Sequence, residues 1–291
     1  MKIVKVIGGL GNQMFQFALY KALQNRFPEE RILLDLHCFN GYHKHRGFEI
    51  GQLFHADYEE ASLREVAKVA YPYPNFQCWR FGSRILPDRP TMLKERSNYA
   101  FEPSAFSRKG DTYYDGYWQH EEYFSAIRKD LLQTFVFTGF EENERNLATA
   151  RLITSKNSCA IHIRRGDYVK DKLFRNICDI DYYKDAIQLM TEKTHPEIFC
   201  IFSDDIHWCH EHLSSLLGKT ETVYADWNTG RNSFYDMHLM SLCRHQIIAN
   251  SSFSWWGAWL NRNDAKVVIG PRKWWNINGA HTPISNSWLI I

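Results

Sequence analysis

Apolar positions along this chain follow two periods. Residues 3–7 are rich in β-branched side chains, and beyond a glycine turn Met14, Phe15, Ala18, Leu19, Ala22 and Leu23 recur at helical spacing. "RILLDL" at 31–36 predicts a second strand. Between 71 and 120 the pattern dissolves. Pro72, Pro74, Pro87, Pro90 and Pro103 punctuate an aromatic-rich stretch that reads as loops with short elements, and a helix is predicted over 120–135. From about 151 the texture becomes regular. "SCAIHI", "IFCIFS", "QIIANS" and "KVVIG" read as strands, and "DYYKDAIQLMTEKT", "DIHWCHEHL", "FYDMHLMSLCRH" and "FSWWGAWLN" as helices between them. Such alternation predicts an α/β chain with a parallel, doubly wound sheet. The polar run "EENERNLATARL" places a boundary near 145–155, dividing the chain into domains 1–150 and 151–291, with the C-terminal tail free to pack back on the first.

A length of 291 residues suits two domains. The net charge of +2, with basic residues dispersed among acidic ones, lacks the dense positive face of a nucleic-acid binder. Seven scattered cysteines show no framework spacing and point to reduced thiols and a cytoplasmic home. The early lysines mimic a signal peptide, but Gly8, Gly9 and Gly11 break its apolar stretch. No run reaches the ~18 apolar residues of a membrane span, so a soluble protein is expected, with work at a membrane surface left open. Oligomeric state has no sequence signal. Ten Trp, fifteen Tyr and nineteen Phe exceed ordinary usage; most belong to cores, and some could stack on sugars.

Several charged or glycine-rich segments sit where strands end. In "GGLGNQM", Gly9 and Gly11 precede a helix and Asp35 closes the next strand, which evokes a dinucleotide fingerprint; Met14 stands where its third glycine should be. Asn12 and Gln13 put amides at the helix start, where backbone N–H groups favour anions or sugar hydroxyls. In "AIHIRRGDYV", alternation through Arg165 places His162 and Arg164 on one face and Arg165 on the other. Arg164 then lies where a pyrophosphate would bind, beyond the strand's carboxyl end, with a fork able to hold two oxygens. "FSDD" offers Asp204 and Asp205, which fit a helix N-cap and, less well, a divalent metal. "ANSSFSWWGAWL" supplies Asn250, Ser251 and Ser252 at a helix start, a ready anion site, followed by Trp255, Trp256 and Trp259 at core spacing. "HWCHEH" looks like a zinc site, but His207 and His210 share a helix face that His212 leaves.

Taken in order, "GGLGNQMFQFA", "HIRRGDYV", "FSDD" and "ANSSFSWWGAWL" resemble the bacterial α-1,2-fucosyltransferases of glycosyltransferase family 11. The resemblance implies a GT-B-like fold, two Rossmann-like domains facing each other across a cleft. It also implies GDP-β-L-fucose as donor, no metal or other cofactor, and inverting transfer to a galactose 2-hydroxyl in a glycan, lipid-linked acceptors included. The second domain would then bind the donor and the first the acceptor. By likeness to more distant fucosyltransferases, Arg164 would clamp the β-phosphate. His162 and Asp236 would meet guanine or ribose, Ser251, Ser252 and Phe253 the phosphates, and Asn12 the donor from the other domain. Arg165 would pair with a carboxylate or meet the donor from the turn. Asp167 is the first candidate for a catalytic base and Asp171 the second. Two rivals remain: a nicotinamide oxidoreductase resting on Gly9, Gly11 and Asp35, and a non-catalytic carbohydrate-binding protein resting on the aromatic run 113–124.

Overall fold

Two all-parallel sheets organise the chain, one in each of two units, Met1–Val136 and Phe137–Ile291. The computed structural model describes residues 1–42 and 44–291. In the first unit the elements run β1 (Lys2–Lys5), α1 (Leu10–Arg26), β2 (Ile32–Asp35), α2 (Ile50–Leu53), α3 (Leu63–Val69), α4 (Phe76–Ile85), β3 (Met92–Lys94), β4 (Thr112–Asp115) and α5 (Arg128–Thr134). The sheet order is β2-β1-β4-β3. Ile3, Val4, Leu33 and Leu34 are fully buried, as a sheet covered on both faces requires.

The stretch 71–120 is expected to hold loops with short elements, whose type the sequence leaves open. It contains α4, β3 and the interior strand β4, whose Tyr113 and Tyr114 are buried. A four-residue strand flanked by glycine and proline-rich segments has too few alternations to register as a period. The helix predicted over 120–135 is also shorter: two 3₁₀ turns, Glu121–Tyr123 and Ser125–Ile127, precede α5.

The second unit comprises α6 (Glu144–Ser155), β5 (Ser158–Ile163), α7 (Ile180–Thr194), β6 (Ile198–Ser203), α8 (Ile206–Leu217), β7 (Glu221–Ala225), α9 (Phe234–Leu242), β8 (His245–Ile247), α10 (Ser252–Leu260), β9 (Val268–Gly270) and β10 (Leu289–Ile290). Its order, β10-β9-β8-β5-β6-β7, places strands after β5 first on one side and then, from β8, on the other. The reversal between β5 and β8 is a topological switch point, where open α/β sheets leave a crevice beyond the carboxyl ends of their strands. Trp255, Trp256 and Trp259 are core residues, at most 1% exposed.

The units divide at a different point from the polar run at 145–155. The break falls at 136/137, because Phe137 and Phe140 already pack on α9: their rings lie 4.7 and 4.5 Å from that of His238. At the C-terminus the chain returns to the second unit's sheet. Leu289 pairs with Ile269, so the tail forms the sheet's edge strand.

Candidate active site

The strand β5 stops at Ile163, so Arg164 and Arg165 lie in the turn beyond it and strand alternation does not assign their directions. Their partners do. Arg164 donates from Nη2 to Asp167 (2.7 Å) and from Nη1 to Asp204 (3.0 Å), while remaining 34% exposed. Arg165 Nε donates to Asp205 (3.1 Å), and its guanidinium lies 4.1 Å above the Trp208 ring. The Arg165 backbone N–H also donates to Asp204 Oδ1 (2.9 Å). Arg165 is thus anchored to the start of α8, whereas Arg164 faces the crevice with two carboxylates on its fork. Gly166 permits this packing: a Cβ there would lie 2.5 Å from Asp204 Oδ2.

The pair Asp204 and Asp205 serves these arginines. Asp205 also caps α8 through the Trp208 N–H (3.1 Å), and that bond, with Arg165, holds its carboxyl below the usual carboxylate range. Two of the histidines of "HWCHEH" are engaged in packing, His210 stacking on Tyr224 at 3.7 Å and His212 on Trp208 at 4.6 Å.

Across the switch point, the β8–α10 connection meets the end of β5. His162 is buried, and its ring lies 5.7 Å from that of Phe253 in the first turn of α10. Burial, assisted by the Arg164 charge, pushes His162 down to about 3, so the imidazole is neutral; its Nδ1 has no hydrogen-bond partner among the described residues. Ser251 is the N-cap of α10, but its side chain makes no capping bond and no acidic residue occupies the first turn. The positive end of this helix is therefore left for an anion. Tyr168, which sequence reasoning passed over, links the two sides: the Arg164 guanidinium lies 5.4 Å from its ring, and Ser251 lies beside its hydroxyl. Only its place inside "RRGDY" could have drawn attention to it.

Asp236 lies in the first turn of α9, which follows the carboxyl end of β7 and so stands at the same rim of the sheet. Asn228 Nδ2 donates to its Oδ1 (2.8 Å), and Asn228 is fixed in turn by Asn146. Burial pushes the Asp236 carboxyl up to about 7 against that single hydrogen bond. It is a half-buried acid with one oxygen engaged, which differs from the exposed helical residue its segment alone suggests.

In the first unit, Gly8 turns the chain with φ +96°, and α1 starts two residues later. Gln13 is wholly buried, its Nε2 donating to the Gly8 and Gly47 carbonyls, so it builds the loop and faces no ligand. Asn12 remains half-buried. Gln119 Nε2 donates to Asn12 Oδ1 (2.7 Å), which fixes the amide so that Asn12 Nδ2 is presented as a donor. Gln119 is set by Trp118, a left-handed residue (φ +56°) whose turn is held by Glu95: the carboxylate accepts the Tyr117 and Trp118 N–H groups, both at 2.8 Å. Burial raises Glu95 to about 7 despite those bonds. The aromatic run 113–124, basis of the carbohydrate-binding rival, is mainly core: Trp118 is fully buried and Tyr123 and Phe124 nearly so. Asp35, on which the nicotinamide rival rests, is 4% exposed and already accepts from the Tyr113 hydroxyl (2.6 Å) and His37 Nδ1 (2.7 Å). Asp171 closes a local turn by accepting the Leu173 N–H (2.8 Å).

An arginine and a helix start without a side-chain cap thus stand on opposite sides of a switch point in a parallel sheet. Residues 95–278 match Glycosyl transferase family 11. Over 99% of this chain and 98% of the relative, the sequence is 31% identical to an alpha-1,2-colitosyltransferase of Escherichia coli. It is 30% identical to the O-antigen biosynthesis glycosyltransferase WbnK of Escherichia coli, over 97% of each chain. It is also 28% identical to galactoside 2-alpha-L-fucosyltransferase SEC1 of Bos taurus, over 47% of this chain and 39% of that protein. The chain belongs to glycosyltransferase family 11 and is a glycosyltransferase.

Proposed function

We propose that this enzyme transfers L-fucose from GDP-β-L-fucose to the 2-hydroxyl of a galactose residue, with inversion at the anomeric carbon. The observation that carries the reading is the pairing of Arg164 with the uncapped start of α10 across the β5–β8 switch point. The β-phosphate sits between them, taking the Arg164 fork on one side and the Ser251 hydroxyl and the Ser252 and Phe253 N–H groups on the other. Asp236 accepts from guanine N1–H and N2–H, and neutral His162 meets the base or ribose. Arg165 keeps the turn in place. Asn12 contributes an amide donor to the reacting sugars.

The acceptor 2-oxygen forms a bond to fucose C1 as the bond to GDP breaks, and the departing charge falls on the phosphate. Removing one such electrostatic contact costs on the order of 10²–10³ in rate. Arg164 is bridged to Asp167 in the free enzyme, so exchanging that partner for phosphate releases the Asp167 carboxylate to take the acceptor's proton. No metal enters this scheme, since the arginine and the helix start supply the countercharge. The acceptor is a glycan ending in galactose. The relative named for colitose, a sugar lacking one of fucose's hydroxyls, favours a second reading in which that sugar is the donor's cargo and the linkage is unchanged. Seven scattered cysteines without framework spacing favour a reducing cytoplasm as its place of work.

Calorimetric titration tests the donor assignment. GDP binds without added metal, and NADH and free β-galactosides bind far more weakly. Tight NADH binding, or glycan binding with no affinity for GDP, would instead support one of the two rivals.

A further inference from the structure

The surface of the first unit carries an amphipathic helix turned inside out. Helix α4 has no fully buried residue. Phe81 and Ile85 are 72% and 61% exposed, the two most exposed large apolar side chains among the described residues, and Leu86 beside them is 41% exposed. At 100° per residue, Cys78, Phe81 and Ile85 share the outer face, and Arg80 and Arg84 line one flank. The opposite face is pinned: Phe76 lies 4.6 Å from Tyr42, Lys5 Nζ stands 4.2 Å over the Trp79 ring, and Asn75 caps the helix at the Cys78 N–H (2.9 Å). The apolar stripe is therefore held outward by the packing beneath it.

We propose that α4 docks on an anionic lipid surface, a property separate from the reaction assigned above. Charge decides the occupant. No acidic residue occurs from 75 to 87, neither Arg80 nor Arg84 forms an ion pair among the described residues, and the next carboxylate, Asp88, is bridged to Lys94. A helix with Phe, Ile and Leu on one side and unpaired arginines along the border lies in a headgroup layer, its apolar face down and its cations at the phosphates. A symmetric contact with a second copy would bring each arginine flank close to its own like charges. None of the described helices is long and apolar enough to cross a membrane, so docking of this kind would place the enzyme on a bilayer without spanning it.

The test uses the full chain and vesicles, without donor or acceptor. Cys78 is exposed while the other cysteines are buried or half-buried, so an environment-sensitive fluorophore there reports the outer face of α4. The protein should sediment with equimolar phosphatidylglycerol–phosphatidylcholine vesicles and not with phosphatidylcholine alone, and the label's emission should shift to the blue. Arg80→Gln with Arg84→Gln should weaken binding about five-fold per arginine. Phe81→Ser with Ile85→Ser should weaken it at least ~10-fold, with melting temperature unchanged in both pairs because these side chains are exposed. No binding to anionic vesicles overturns the proposal, as does binding that leaves the label and both variants unaffected. A dimer in sedimentation velocity that Phe81→Ser abolishes, with no lipid binding, makes this face a contact between copies and overturns it too.

Discussion

Replacing Arg164 by lysine, and separately Arg165 by lysine, asks of each side chain what only a guanidinium supplies. Arg164 uses both terminal nitrogens at once, 2.7 Å from Asp167 and 3.0 Å from Asp204. A lysine keeps the charge and loses the fork, so it can hold Asp204 or a phosphate oxygen with little left for the other. Losing one transition-state contact of this type lowers turnover by roughly 10²–10³-fold. Stability should barely move, because exposed ion pairs contribute only about 0–1 kcal/mol. Arg165 reverses the pattern. Its single Nε bond to Asp205 and its seat 4.1 Å over Trp208 place it against α8, away from the crevice. Cation–π contacts of this kind contribute about 0.5–2 kcal/mol. For a unit of this size, a loss of 1–2 kcal/mol lowers the melting temperature by roughly 2–8 °C. The assay is turnover at saturating donor beside a melting curve for both variants. If Arg165→Lys slows turnover more than Arg164→Lys at a normal melting temperature, the division of labour inferred from these contacts is wrong.

Three further outcomes follow from the same geometry. Asp236 titrates near 7 because burial disfavours its charge, while guanine donors favour the carboxylate; GDP binding should therefore release protons below pH 7, with affinity falling as pH drops from 8 to 6. Calorimetry in buffers of different ionisation enthalpy reads that proton count, and Asp236→Asn should reduce the pH dependence to that of GDP's own terminal phosphate and weaken GDP by about 1–3 kcal/mol. Gln119→Met removes the donor that orients Asn12, so kcat should fall several-fold with the donor KM little changed; in an Asn12→Ala background the same substitution should cost nothing more, and an undiminished second loss would mean Gln119 acts elsewhere. Excess EDTA should leave the initial rate unaltered, and a loss restored by Mn²⁺ would turn Asp204 and Asp205 into ligands.

The second unit was largely legible in the sequence because β5 and β6, six residues each, show a pattern, and the charged, serine-rich and glycine-rich segments lie contiguously at strand ends. "HIRRGDY" and "ANSSF" are brought together by a parallel topology that alternating strands and helices already imply. What the sequence hid was mostly short or non-local. Strand β4 has four residues, β7 (Glu221–Ala225) is only partly buried, and β10 has two, so none offers a clear period. Strand β5 ends at Ile163, as "SCAIHI" reads, but its alternation does not carry on through Arg165, because the turn beyond Ile163 depends on Asp204, supplied by the end of another strand. The Glu95–Trp118–Gln119–Asn12 chain was invisible for the same reason. Its links span 23 and 107 positions and run through backbone N–H groups and a left-handed Trp118.

The linkage formed by this enzyme is the most direct measurement of what it does. Purified protein is incubated with GDP-β-L-fucose and a panel of β-galactosides, and the product is analysed by NMR for the anomeric configuration and the substituted carbon. An α-linked fucose on the galactose 2-oxygen, with GDP released in equal amount, is the predicted result. A β-linked product, substitution at another hydroxyl, or GDP release with no sugar transferred to any galactoside would contradict it.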